Sequence, residues 1–177
     1  MRASQNNSML VFIGICLLGA IPLIVIWLGI VPQTIIENIN DWIGEIPIIY
    51  SDNFLYESYL SALYCKAVPL FSILYYTLIW NNTAVKEEHF KLYRNGIGMF
   101  FFGYLSAAVI FSMVVYVNYF LNYNTSIGNR RMKLISEFEI TSFLYYYAIF
   151  FVVFMMACAA INIFLFLPIK YAKKRWG

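Results

Sequence analysis

Apolar residues gather into four long runs separated by polar segments. A helix needs about 20 apolar residues to cross the hydrocarbon of a bilayer, and each run reaches that length. The pattern predicts membrane-spanning helices over about 9–30, 58–80, 96–121 and 145–169. The last apolar run begins near residue 140 and is longer than one crossing needs. Its first part, with Tyr145, Tyr146 and Tyr147, is expected in the interface or in a tilted portion. Trp27, Tyr75, Tyr76, Trp80, Tyr116, Tyr119 and Tyr123 stand where aromatic side chains collect at membrane surfaces. The first run is too long for a signal-peptide core and is followed by no small-x-small site, so it reads as an uncleaved span, bent at Pro22.

The segment between the first two runs has a different period. Thr34-Ile35-Ile36-Glu37 matches a capping box, and Ile35, Ile36, Ile39, Trp42, Ile43 and Ile46 then recur at helical spacing. Glu37, Asn38, Asp41 and Glu45 fall elsewhere on the wheel, and Pro47 stops the pattern. This predicts an amphipathic helix over about 34–46 lying on the outer membrane surface, apolar face down. Glu37, Asp41 and Glu45 would then form an acidic outer surface. Such a helix either links two spans or offers a docking face.

Composition agrees with the pattern. Of 177 residues, 62% are hydrophobic and 12% charged, whereas soluble domains carry about 25% charged residues. The net charge of +3 arises from basic residues at the ends of the runs rather than in a patch, which excludes a nucleic-acid surface. Cys16, Cys65 and Cys158 lie within apolar runs without metal-ligand spacing and read as packing residues.

One charge breaks the apolar pattern: Lys66, in Tyr64-Cys65-Lys66-Ala67-Val68-Pro69. An ammonium in the hydrocarbon costs roughly 2.5–3.5 kcal/mol on insertion scales, which makes it a functional-site candidate. Pro69 has no N–H and leaves the Cys65 carbonyl without its helical donor beside that charge. A lysine-to-carbonyl contact would satisfy both groups. The competing reading is structural: with no carboxylate in the core of any run, the stem of Lys66 snorkels toward the outer headgroups. Both readings stand at this point.

Small residues mark further contact surfaces. Gly103-x-x-x-Ala107 and Ala108-x-x-x-Ser112 permit close helix approach, as do Ala157, Ala159 and Ala160, while Asn162 is placed to hydrogen-bond across helices. Catalytic chemistry has no support. The single histidine, His89, lies in a charged loop beside Glu87 and Glu88, and there is no HExxH, GxSxG or acidic residue within a span. No cofactor or metal is called for. The same lack of acids argues against an ion-coupled transporter.

Lysine and arginine counts set the orientation. The N-terminal lead, the 81–95 loop and the C-terminal tail carry one, three and four, against none and three in the 31–57 and 122–139 loops. Both termini are therefore expected in the cytoplasm, with the acidic loop outside.

Four stretches carry a family resemblance. Gly19-Ala20-Ile21-Pro22-Leu23 looks like a Gly-x-Ile-Pro-Leu motif, and Pro47-Ile48-Ile49-Tyr50-Ser51 resembles a Pro-x-Ile-x-Ser segment. Tyr64-Cys65-Lys66-Ala67-Val68-Pro69 resembles Tyr-x-Lys-Thr-Ala-Pro, and Thr125-Ser126-Ile127-Gly128 followed by Lys133-Leu134 is similar to Thr-Thr-Ala-Gly with a basic-Leu pair. In this last stretch the pair stands one residue further on. The motifs are those of the immunity proteins of pore-forming colicins, of the colicin A immunity type. The resemblance implies an all-α membrane protein, a four-helix transmembrane bundle with the amphipathic helix in its first outer loop, in the bacterial inner membrane. It also implies a partner, the pore-forming domain of a cognate colicin, whose channel the protein keeps from opening. Lys66, Tyr64, Pro69, Gly103, Ala107, Thr125, Gly128, Arg130 and Lys133 are the expected toxin-contact residues. The alternative is a small accessory subunit of a transporter or other membrane complex.

Overall fold

The computed structural model describes residues 2–29, 34, 37, 38, 41, 46–80 and 97–176. Helical backbone begins in the polar lead, with α1 (Arg2–Leu18) and then α2 (Ile21–Trp27). The helix is interrupted at Gly19-Ala20, just ahead of Pro22, where Gly19 and Ala20 donate to the carbonyls of Cys16 and Leu17 at 3.1 and 3.0 Å. Pro22 is buried in the first turn of α2, where the missing N–H has no partner to lose. A Cβ on Gly19 would stand 2.6 Å from the Phe150 ring, so this glycine is where the chain lies against the last long helix.

Of the amphipathic helix expected over 34–46, Thr34, Glu37, Asn38 and Asp41 have helical backbone and are exposed. Ile46 lies outside any helix and packs half-buried on the core, and the rest, Glu45 included, lie outside the described residues. The chain is mostly helical rather than wholly so. Strand β1 (Ile49–Tyr50) pairs in parallel with β2 (Tyr123–Asn124), Ile49 opposite Tyr123 and Tyr50 opposite Asn124. After a 3₁₀ turn over Asp52–Phe54 come α3 (Leu55–Lys66) and α4 (Val68–Ile79). These two meet at Ala67 with a 42° bend. Helix α5 (Ile97–Tyr119) follows. Residues 122–139, expected as a loop, contain both β2 and α6 (Arg130–Glu137), which starts because Asn129 Oδ1 accepts from the Met132 N–H at 3.1 Å.

The last helix begins earlier than expected, at Glu139. Helix α7 (Glu139–Ile161) continues through a π turn (Asn162–Phe166) into α8 (Leu167–Trp176). Pro168 cannot donate to the carbonyl four residues back, and Leu167 donates instead to Asn162, five back, which is the π geometry. Among the described residues, three helical stretches are long and apolar enough to cross a membrane, Asn7–Trp27, Phe101–Tyr119 and Glu139–Lys173. The bent pair Asp52–Lys66 plus Val68–Ile79 makes a fourth if it is counted as one.

Helix α7 is the hub. Tyr146, Phe150, Val153, Phe154, Ala157 and Cys158 are buried along one face, against Ile15 of α1, Tyr59, Ala62 and Cys65 of α3 and Val68 of α4. Phe150 is 1% exposed and lies between the Tyr64 and Tyr147 rings, nearly parallel to both. Side chains also bridge to helix carbonyls: Cys65 Sγ donates to Tyr146 and Ser72 Oγ to Phe154. Helix α5 differs, since none of residues 101–119 is buried.

Candidate functional site

The break at Ala67 creates a local demand for hydrogen bonds. The Ala67 N–H closes a tight turn on the Tyr64 carbonyl at 3.1 Å, while Pro69 has no N–H to offer the Cys65 carbonyl. The C-terminal end of α5 meets that demand. Asn118 Nδ2 donates to the Cys65 carbonyl at 3.4 Å, and the Tyr119 hydroxyl donates to the Lys66 carbonyl at 2.6 Å.

The exchange runs both ways. Lys66 Nζ donates to the Asn118 carbonyl at 2.6 Å and lies 5.2 Å from the centre of the Tyr119 ring. The last carbonyls of a helix have no intrahelical donor and carry the negative end of its dipole, so a cation there is favoured twice. The lysine-to-carbonyl contact expected from the sequence is present, on the Asn118 carbonyl rather than on that of Cys65. Tyr64, two residues away on the helix, turns elsewhere: its hydroxyl donates to the carbonyl of Leu18, the last residue of α1, at 2.8 Å.

An equivalent arrangement stands at the far end of α4. Lys170 Nζ donates to the Trp80 carbonyl at 2.8 Å and lies over the Trp80 and Phe166 rings. Each of these lysines therefore caps the end of one helix from another.

The remaining predicted residues form separate groups. Thr125 is 2% exposed, and both its N–H and its hydroxyl donate to the Tyr50 carbonyl at 2.8 and 2.9 Å. Around it, Ser51 and Asp52 are tied to Asn124 and Ser126 through side-chain hydrogen bonds of 2.7–3.1 Å. Gly128 sits where a Cβ would collide with the Tyr123 hydroxyl and Met132. Arg130 and Lys133, three residues apart on α6, are exposed on the same side of the helix. Glu37 accepts from the Tyr56 hydroxyl at 3.3 Å, and Asp41 is exposed. Gly103 and Ala107 are half-buried on α5, next to Tyr104, whose hydroxyl donates to the Ile163 carbonyl in the π turn at 2.7 Å.

The structure thus joins Lys66 and the Cys65 carbonyl to Asn118 and Tyr119, two residues absent from the expected set, while Tyr64 contacts Leu18, Phe71 and Phe150 instead. Asn118 had a visible signal, an amide at the end of an otherwise apolar run. Among the described residues, no group of three or more His, Cys, Asp and Glu could hold a metal ion.

A family model described as colicin immunity protein matches residues 32–176, more than four-fifths of the chain. The chain belongs to the colicin immunity protein family. No curated protein and no solved structure matches it. The match includes the Pro47–Ser51 segment, the Lys66 cluster and the Thr125–Lys133 stretch, and it begins after the first helix. The long apolar helices are those of a membrane protein, and the family's role implies a cognate colicin as partner.

Proposed function

We propose that this immunity protein binds the pore-forming domain of its cognate colicin within the bacterial inner membrane and keeps the channel from opening. In this reading the bent pair α3–α4 counts as one crossing, the four crossings form a bundle, both termini are cytoplasmic, and the 34–46 segment lies on the outer surface. The observation that carries it is α5. This helix is long enough to span, has no buried residue over 101–119, and is tied to its neighbours by polar contacts near both ends. Phe101, Phe102, Leu105, Val109, Met113 and Val117 are exposed and form a helix-length apolar surface.

Inside lipid the hydrophobic effect gives no drive to association, so recognition relies on close packing and on polar contacts between helices. Gly103 and Ala107, proposed as contact residues, are half-buried on the side of α5 that carries Tyr104. They act by letting α5 sit close to its neighbours, while Phe101, Leu105 and Val109 face a toxin helix. Arg130 and Lys133 face outward to read the toxin's polar groups, while Tyr64, Lys66, Pro69, Thr125 and Gly128 hold the surfaces that the toxin meets. Discrimination between colicins is then a difference between similar affinities.

The test is to express the chain alone in sensitive bacteria and challenge them with a panel of pore-forming and nuclease colicins. Survival against one pore-former supports the reading. Uniform killing, or protection against a nuclease colicin only, overturns it.

A further inference from the structure

Helices α5 and α7 do not close on each other over their whole length. Between them lies a cleft of about 320 Å³, lined by Met113, Val117 and Asn118 on one side and Tyr145, Ala148 and Val152 on the other. The surface it exposes is apolar, although Asn118 and Tyr145 stand in its lining. From Tyr145 to Val153 it runs about 12 Å along α7, at 1.5 Å per residue. Met113, Val117 and Val152 are exposed along its edges, so the cleft opens sideways, toward what surrounds the helices.

A charge stands beside one end of the cleft, outside its lining. A small adjoining cavity shares Asn118 and Ile149 with it and is lined by Lys66. The Lys66 ammonium has three donors. One is on the Asn118 carbonyl, and among the described residues no carboxylate pairs with the charge. The ammonium sits where α5 ends and the hydrogen-bonded outer loops begin, the level at which apolar surface gives way to polar. An open apolar slot with an unneutralised cation at its polar end matches one kind of occupant, a molecule with an extended hydrocarbon chain under an anionic head.

We propose that the α5–α7 cleft is a phospholipid site that takes one acyl chain of an anionic phospholipid, with the headgroup phosphate on Lys66. The site rests on the reading that these helices cross a membrane, but it does not need the toxin. A bound lipid would fill the space between α5 and α7 and supply the charge that Lys66 lacks. The chain lies in the cleft for packing reasons, and the headgroup's net negative charge, which in a zwitterionic lipid is offset by its own ammonium, supplies the preference for anionic lipid.

The experiment is native mass spectrometry of the full chain released from detergent, with phosphatidylglycerol or phosphatidylethanolamine added in equal amounts. The wild type is expected to retain phosphatidylglycerol about fivefold better, the contribution of roughly one basic residue against an anionic lipid. Lys66→Gln keeps a donor for the Asn118 carbonyl and removes the charge; it is expected to abolish the preference while leaving phosphatidylethanolamine retention unchanged. Ala148→Trp, which fills the cleft from an exposed position, is expected to reduce retention of both lipids. Equal retention of the two lipids by the wild type, or a preference that survives Lys66→Gln, would overturn the proposal. So would a dimer on gel filtration that Ala148→Trp dissolves, which would assign the cleft to a second copy. No colicin is present in these measurements, so their failure leaves the immunity reading standing, and a failed colicin challenge leaves the lipid site standing.

Discussion

The ammonium of Lys66 lies 2.6 Å from the carbonyl oxygen of Asn118, and the amide of Asn118 returns a hydrogen bond to the Cys65 carbonyl. The charged residue beside the helix break and the polar residue at the end of α5 therefore satisfy one another. Lys66→Met removes the donor and leaves a helix-terminal carbonyl bare. The expected loss is about 1–2 kcal/mol of stability in detergent, between the contribution of a charge-assisted bond in water and the smaller average inside membranes. Unfolding by denaturing detergent, followed by circular dichroism, measures it. Protection in cells should then fall in step with the amount of protein, whereas loss of protection at normal protein level would show a direct contact with the toxin.

Gly19 is the point at which α1 turns toward α2 against the Phe150 ring. Gly19→Ala places a methyl 2.6 Å from a ring that is 1% exposed and held between two tyrosines, so the ring has nowhere to move. Overpacking of this kind costs about 1–3 kcal/mol. A lower midpoint of thermal unfolding in detergent is expected, with partial recovery in the double variant Gly19→Ala/Phe150→Leu. No recovery would mean that the glycine matters for its backbone rather than for its space.

Tyr146, buried on α7, donates its hydroxyl to the Ile49 carbonyl at 3.0 Å and so ties the two-residue β pair to the helical core. Tyr146→Phe leaves that buried carbonyl without its donor, at a cost of about 1–3 kcal/mol. Hydrogen exchange should become faster at the Tyr123 and Thr125 amides, which bond to Ile48 and Tyr50. Unchanged exchange there would show that the β pair holds without this tie.

Arg130 and Lys133 are exposed on α6, and charge reversal at both should change stability by no more than about 0.5 kcal/mol. If the outer face reads the toxin, Arg130→Glu/Lys133→Glu should abolish protection against the cognate colicin at unchanged protein level. Full protection by this variant would remove α6 from the recognition surface.

Much of this architecture is visible in the order of the residues. The apolar runs, the lysine beside the proline and the basic and acidic segments all follow from composition along the chain. Family membership followed from short motifs, three of which lie inside the matched region. The β pair was not legible, because four residues about 74 positions apart carry no period. Nor was the α6 helix, whose eight residues follow a polar loop and carry only a single capping asparagine as a signal.

The sequence by itself determined where the chain is apolar enough to cross a membrane, and that Lys66 and Pro69 would disturb one of those stretches. It could not determine which face of each helix points inward. In lipid the outer face of a helix is as apolar as its core-facing side, so the periodicity that marks a buried face in water is absent. Only the packing decided that α7 stands at the centre, that Gly19 rests on Phe150, and that the C-terminal end of α5 and the Lys66 break complete each other's hydrogen bonds.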